Sequence, residues 1–134
     1  MKFTTYMLTA LTVGGFLAMG VHPSASAADQ SAYKLISTSD GLVRASVKAF
    51  NAGKFEKSIN FSKKALRANP SKRRMAITYS NLCAAYGAIG EMEKANQACK
   101  SALEMRPNYE PALVNYNIVN LHLAQHQVEA KDGK

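Results

Sequence analysis

The sequence is short of acidic residues: nine Asp and Glu stand against 17 Lys and Arg in 134 residues, a formal net charge of +8. It is equally short of cysteine, with only Cys83 and Cys99, sixteen residues apart. Because that spacing fits neither a zinc knuckle nor a C-x-x-C redox motif, the sequence excludes both kinds of site. The two cysteines then have to be explained by the redox state of the protein's compartment and by their positions in the fold.

Signatures of catalysis are missing as well. No Ser, His and acid residues form a triad signature, no glycine-rich phosphate loop follows a strand, and no paired-carboxylate motif is present. His122 and His126 share one helix face at i and i+4, but only Glu129 lies within the next turn. A dedicated metal site needs more ligands than these. We therefore expect a non-enzymatic protein without metal or cofactor.

Charge is also scarce at the N-terminus, where Lys2 is the only charged residue before Asp29. An apolar run covers residues 3–21, and Ala25-Ser26-Ala27 has the small-x-small form of a signal-peptidase site. The run is near the lower limit for a membrane span, and no charged stop-transfer flank follows. We predict that residues 1–27 are a signal peptide, with an uncleaved membrane anchor as the alternative.

Export would place this basic protein in a bacterial periplasm or outside the cell. Nucleic acid is then not an expected partner. The acidic neighbours available there are anionic lipid, cell-wall polymers and acidic proteins. Such a compartment is also oxidising, which permits disulfides.

The second half of the chain contains an internal repeat. Segments beginning at Phe50 and Tyr86 align with a constant offset of 37 residues. The matched positions include Gly53 with Gly90, Phe55 with Met92, Ser58 with Ala95, Ala65-Leu66 with Ala102-Leu103, and Pro70 with Pro107. Each unit predicts a helix, a glycine-centred turn, a second helix and a proline stop.

The second unit, residues 76–109, resembles a tetratricopeptide repeat, a helix–turn–helix unit of about 34 residues. The residues that carry the resemblance are Tyr79, Leu82, Tyr86, Gly90, Ala95, Ala102 and Pro107, while Cys83 and Cys99 stand where the family has other residues. The first unit, residues 39–72, resembles the repeat more weakly, through Leu42, Ala45, Ser46, Ala49, Ser58, Ser62, Ala65 and Pro70. Three extra residues, 73–75, separate the units.

The resemblance implies an all-α fold, in which antiparallel helix hairpins stack as a short right-handed TPR-like solenoid. The helical domain would cover residues 39–130, with a C-terminal capping helix at 110–130 that begins around Pro111. Residues 28–38 form an N-terminal extension, expected to be extended or loosely helical. Residues 131–134 form a tail.

The same resemblance implies a concave groove that holds an extended or helical peptide. Its residues would be Arg44, Val47, Asn81, Ala84, Asn115 and Ile118. The resemblance places Asn81 and Asn115 on the open face, where an Asn amide can pair with both N–H and C=O of a peptide. The alternative is that these side chains only pack or are solvated. The full carboxylate-clamp set of co-chaperone repeats is not present, which argues against a chaperone C-terminal tail as the ligand.

The repeat register also places Cys83 and Cys99 on facing helices, seven and nine residues from the turn at Gly90. In a compartment that permits disulfides, we expect them to bond. The first unit has Ser46 and Ser62 at the equivalent positions, so the alternative is a site that requires only small side chains.

Basic residues concentrate in the first unit: ten Lys or Arg lie between Ser39 and Met75. The densest part gives a candidate basic patch of Lys63, Lys64, Arg67, Lys72, Arg73 and Arg74; a solvated helix face is the simpler interpretation. The sequence thus favours an exported adaptor that binds another envelope protein. The alternatives are a basic-patch binder of anionic lipid or cell-wall polymer, and a homodimeric structural module.

Overall fold

The computed structural model describes residues 27–132. The predicted signal peptide, apart from Ala27, and the last two residues of the predicted tail lie outside the described residues. The chain between these limits contains helices joined by non-helical segments and has no strand. Its helices are α1 (Ala27–Ala32), α2 (Gly41–Asn51), α3 (Phe55–Arg67), α4 (Lys72–Ala88), α5 (Met92–Met105) and α6 (Glu110–Asp132). The predicted all-α class is confirmed.

Helices α2 and α3, and likewise α4 and α5, form hairpins that turn in the same way. Gly53 and Gly90 follow the first helix of each hairpin with φ of 70° and 78°, a region that glycine enters without strain. The next N–H reaches back across the helix end: Lys54 N–H to Ala49 O (2.9 Å) in one hairpin, Glu91 N–H to Tyr86 O (3.0 Å) in the other. These bonds are typical of a Schellman helix end, and the 37-residue offset seen in the sequence recurs in them.

The starts of α2 and α4 differ. Asp40 caps α2, because its carboxylate accepts hydrogen bonds from the N–H groups of Leu42 and Val43. Helix α4 begins at Lys72, so the three residues 73–75 that separate the predicted repeats form its first turn. The extra residues therefore lengthen a helix and do not create a linker.

The core lies around α4, which packs against α2, α3, α5 and α6. Small side chains dominate the contacts of α4 with α5: Cys83, Ala84, Ala95 and Cys99 are all fully buried. Such residues allow two helix axes to approach closely, while larger side chains such as Leu82 fill the space around them. A central α4 also means that both of its ends, and the face turned away from α5, are available to position a site.

Helix α6 extends past the rest of the fold and ends at Asp132, two residues beyond the predicted cap. Its last turns expose Leu121 and Val128, at 61% and 59% of their surface. Between residues 27 and 132, none of the helices combines the length and the apolar character needed to cross a membrane.

Candidate functional site

The non-helical segment between α1 and α2, residues 33–38, is held by the side-chain amides of two asparagines. Asn115 on α6 accepts from the N–H of Lys34 (2.7 Å) and donates to its C=O (2.8 Å). Asn81 on α4 does the same for Ile36, at 2.9 and 2.8 Å. Each amide thus forms hydrogen bonds with both the N–H and the C=O of one residue. Lys34 is held by α6 and Ile36 by α4.

This pairing requires an extended backbone. In an extended chain, the N–H and C=O of alternate residues point to the same edge, and successive side chains point to opposite faces. The side chains follow that rule: Tyr33 is buried and Leu35 half-buried, while Lys34 and Ile36 are exposed. The segment therefore lies on α4 and α6 as an extended peptide would, with two side chains turned inward.

The inward side chain of Tyr33 fills a cleft that depends on Gly87 of α4. Tyr33 is only 6% exposed, and a β-carbon on Gly87 would overlap its ring and hydroxyl group. The absence of a side chain at residue 87 is thus what admits the aromatic ring. Leu35 packs against the same hydrophobic cluster, which includes Leu82 and Val119.

The burial of the two asparagines corrects the prediction that they lie on an open face. Asn81 is 1% exposed and Asn115 is not exposed at all, because residues 33–38 cover them. Asn115 also donates to the backbone oxygen of Ser80 (3.1 Å), so its amide is fully engaged.

The other predicted groove residues divide into two groups. Ala84 is buried beside Asn81, and Ile118 is half-buried on α6. Arg44 and Val47 lie apart on α2, beside Ser37, where they line an open depression of about 420 Å³. The structure therefore brings Asn81, Ala84 and Asn115 together, with Arg44 and Val47 near the end of the segment.

At the outer edge of the groove, Lys34 pairs with Glu110 at the start of α6, with Nζ and Oε1 2.5 Å apart. Both side chains are more than half exposed, so this ion pair is screened by water and contributes little stability. It still places a negative charge beside the residue that lies between the two inward side chains.

The six predicted basic-patch residues are all exposed. Arg74 pairs with Asp40 (3.3 Å), and Nζ of Lys63 lies 5.8 Å from the centre of the Tyr86 ring. Arg73 and Arg74 also line a cavity of about 420 Å³ together with Ser71 and residues 36–39. The six residues thus lie on the surface of α3 and of the first turn of α4.

The predicted cysteine pair lies inside the second hairpin. Cys83 and Cys99 are at disulfide distance, with Cα atoms 5.2 Å apart, and both are fully buried. This confirms that the two residues face one another across α4 and α5. The pair is remote from solvent and lies in the interior of the second hairpin.

The histidines of α6 do not form a metal centre. Nδ1 of His126 lies 3.7 Å from Oε2 of Glu129, and both side chains are largely exposed. Within residues 27–132, no three His, Cys, Asp or Glu residues are grouped as ligands for a metal ion would be.

Searches with family models, among curated proteins and among solved structures find nothing that matches this chain. The groove and the segment within it are therefore the main ground for a functional proposal.

One feature of the site was not found from the sequence. Asn81 and Asn115 were predicted to bind a peptide backbone, but the segment that occupies them belongs to the same chain. A weak signal exists in Tyr33-Lys34-Leu35, where a charged residue stands between two apolar ones as in the two-residue period of an extended strand, although apolar Ile36 interrupts the pattern. No feature of the neighbouring sequence indicates which helices bind that strand.

Proposed function

We propose that this protein is an exported, non-enzymatic adaptor whose groove on α4 and α6 binds an extended segment of another envelope protein. The pairing of Asn81 and Asn115 with both backbone groups of Ile36 and Lys34 is the observation that supports it. Backbone pairing of this kind binds an extended chain largely independently of its sequence, and side-chain clefts then add selectivity.

The finer architecture is part of the proposal. We infer that the hairpins stack as a short right-handed TPR-like solenoid, closed by α6 as a cap. Two observations support this: the identical turns at Gly53 and Gly90, and the contacts that α4 makes with both α2 and α6. In such a stack, the first helices of successive hairpins lie side by side and form one continuous face. Asn81 and Asn115 stand on that face.

Export is the third part of the proposal. It is supported by the signal-peptide pattern in residues 1–27 and is compatible with the buried cysteine pair. An oxidising compartment would keep that pair bonded.

The test is recovery of partners from the native envelope with the tagged full chain, identified by mass spectrometry. The variant Asn81→Leu with Asn115→Leu keeps the branched shape of the side chain, with larger methyl groups at its end, but removes the amides that bind a peptide backbone. Asn60→Leu with Asn117→Leu is the matched control, because both of these asparagines are exposed. We expect wild type and control to recover the same partner and the groove variant to lose it.

Thermal melting of each variant separates lost binding from lost folding. Recovery of the same partner by a folded groove variant would refute the groove as the binding site. The comparison is made at about 0.1 and about 0.5 M salt, because groove contacts should survive screening that weakens exposed charge pairs.

A second candidate function is docking of the basic patch on anionic lipid or cell-wall polymer. It is favoured by the exposure of all six residues and by the fact that, among residues 30–131, only Arg74 of the six is paired with an acidic side chain. Cosedimentation with anionic vesicles should then fall steeply between the same two salt concentrations. It should also fall when Lys63, Lys64 and Arg67 are changed to Gln.

A further inference from the structure

We propose that residues 33–38 are an internal competitor in the groove, and that the partner's segment is an extended peptide with an aromatic residue followed two positions later by an aliphatic one. This inference rests on the proposed function of the groove as a peptide site. The inference adds the sequence pattern of the peptide and identifies residues 33–38 as the segment that the peptide must displace.

The aromatic position follows from the cleft at Gly87. Tyr33 enters it so closely that a single added methyl group on residue 87 would overlap the ring. The atoms of Tyr33 closest to residue 87 are the hydroxyl oxygen and the ring carbon that bears it, so the cleft fits a long flat side chain whose far end reaches bare backbone. A small aliphatic side chain would leave part of the cleft empty and lose contacts with its walls.

The aliphatic position follows from the two-residue period of the backbone pairing. When Asn115 and Asn81 hold residues 34 and 36, only residues 33 and 35 can point inward. Leu35 is the second inward side chain, and it packs on the apolar core cluster. A ligand held by the same amides must present its own inward side chains at the same spacing.

The residue between these positions faces outward near Glu110. In the chain itself it is Lys34, which pairs with that carboxylate. A basic residue is therefore preferred there, although the exposure of the pair makes this preference weak. An acidic residue at the same place would be repelled.

The segment can leave without dismantling the helices. Helix α1, which precedes it, makes little contact with the other helices of residues 27–132. Helix α2, which follows it, has its own cap in Asp40, whose N–H is bonded to Oγ1 of Thr38. Helix α1 thus adds little resistance to release, α2 is capped independently of the Asn contacts, and a hinge near Ser37 is sufficient for release.

A tethered segment is a strong competitor. A short flexible tether holds its end at an effective concentration in the millimolar range, so a free peptide of equal affinity is largely excluded. The apparent affinity for such a peptide is its intrinsic affinity reduced by the fraction of protein with an empty groove. Loosening residues 33–38 must then strengthen binding of the free peptide.

The probe is a fluorescent synthetic peptide of residues 30–38, QSAYKLIST. Its control has glycine at the positions of Tyr33 and Leu35. The proteins are the exported full chain, a loosened variant with Tyr33→Ala and Leu35→Ala, and a matched control with Lys34→Ala and Ser37→Ala, which changes exposed side chains of the same segment. Binding is read by fluorescence anisotropy.

We expect the loosened variant to bind the peptide about tenfold or more tightly than wild type and matched control do. The glycine peptide should bind none of them. No binding by a loosened variant that is still folded, or equal binding of both peptides, would overturn the inference. Recovery of an envelope partner through Asn81 and Asn115 would in that case still support the proposed function, so the two can fail separately.

A measurement on wild type covers the case in which the loosened variant does not fold. Excess peptide should speed hydrogen exchange at the N–H groups of Lys34 and Ile36, because both lose their Asn acceptors when the segment leaves. Unchanged exchange at saturating peptide would overturn the proposal. So would a wild-type dimer that the free peptide dissolves, since the natural occupant would then be a second copy of the chain.

Discussion

The two hairpins of the molecule share a turn and a helix order, but their interiors are joined by different chemistry. In the first, Oγ of Ser46 lies 3.0 Å from Oγ of Ser58 and 2.7 Å from Oγ of Ser62, and all three side chains are fully buried. In the second, the equivalent residues are Cys83, Ala95 and Cys99. These positions therefore require small side chains. Polar side chains are accepted there only when they form hydrogen bonds with one another.

The two solutions differ in strength. A typical buried hydrogen bond contributes about 1 kcal/mol net. A disulfide that closes a loop of roughly 15 residues contributes about 3 kcal/mol in the chain-entropy model. The second hairpin should therefore be the firmer of the two, and it is also the one that carries Asn81 and Gly87.

The largest effect is expected when the second hairpin is given the chemistry of the first. Cys83→Ser with Cys99→Ser should lower the free energy of unfolding by about 3 kcal/mol, because the covalent loop closure is lost. Urea denaturation measures the loss, and reduced wild type is the control that should match it. If reduction and substitution both leave the unfolding midpoint unchanged, the pair is not a structural bond.

Overpacking the same interior comes next. Ala95→Leu should lower the free energy of unfolding by about 1–3 kcal/mol, since no space remains around this fully buried residue. Gln97→Leu on the exposed face of the same helix is the control and should be nearly neutral. Equal melting temperatures for the two variants would show that α4 and α5 do not approach at Ala95.

Much of this architecture could be predicted from the sequence because its signals are local. The glycine turns and the proline stops follow from a 37-residue offset between neighbouring units, and the facing of Cys83 and Cys99 follows from the repeat register around Gly90. The seating of residues 33–38 could not be predicted in this way. The segment's hydrogen bonds to Asn81 and Asn115 connect residues that are separated by 45 and 81 positions in the sequence. Periodicity within a helix carries no information about such a pairing.

The groove residues show the same division. The amides of Asn81 and Asn115 were expected to pair with the backbone of a partner peptide, and the backbone that they hold belongs to the same chain. Their burial was missed, because burial depends on a distant segment that covers them. That a partner's peptide replaces this segment in the groove stays a prediction.

A smaller effect is expected from giving the first hairpin the chemistry of the second. Ser46→Cys, Ser62→Cys and Ser58→Ala together should raise the free energy of unfolding by about 1 kcal/mol: about 3 from loop closure, less about 1 for each of the two hydrogen bonds lost. Ser58 is changed because it would otherwise lose its buried partner. Thiol titration before and after reduction checks that the bond forms. A bonded variant no more stable than wild type would indicate strained packing of α2 and α3.

The smallest effect is expected at Tyr109, which ends the second unit where the first has exposed Lys72. Its hydroxyl group is buried and, within the described residues, has no hydrogen-bond partner. Tyr109→Phe should therefore be neutral or stabilising by a few tenths of a kcal/mol, as removal of an unpaired polar group usually is. A clear loss of stability at pH 7 would reveal a partner for the hydroxyl.

Alkaline pH adds a second readout at the same residue. Burial raises the pKa of Tyr109 above its ordinary value of about 10, while the nearby Arg106 partly opposes the shift. The unfolded chain then loses this proton before the folded one does. Stability is unaffected below about pH 10 and falls as pH rises through the higher folded value. The fall should be shallower for Tyr109→Phe than for wild type, as measured by thermal melting at stepped pH.

The long reach of the Lys34–Asn115 hydrogen bonds has a consequence for the order in which the protein forms. These bonds span 81 positions, from the start of the described chain to its last helix. A chain that crosses a membrane with its N-terminus first must release α6 before residues 33–38 can be held, whereas each hairpin can close from neighbouring residues alone. In such a chain, residues 33–38 stay unheld by Asn115 until α6 is free, at a stage when both hairpins can already have closed.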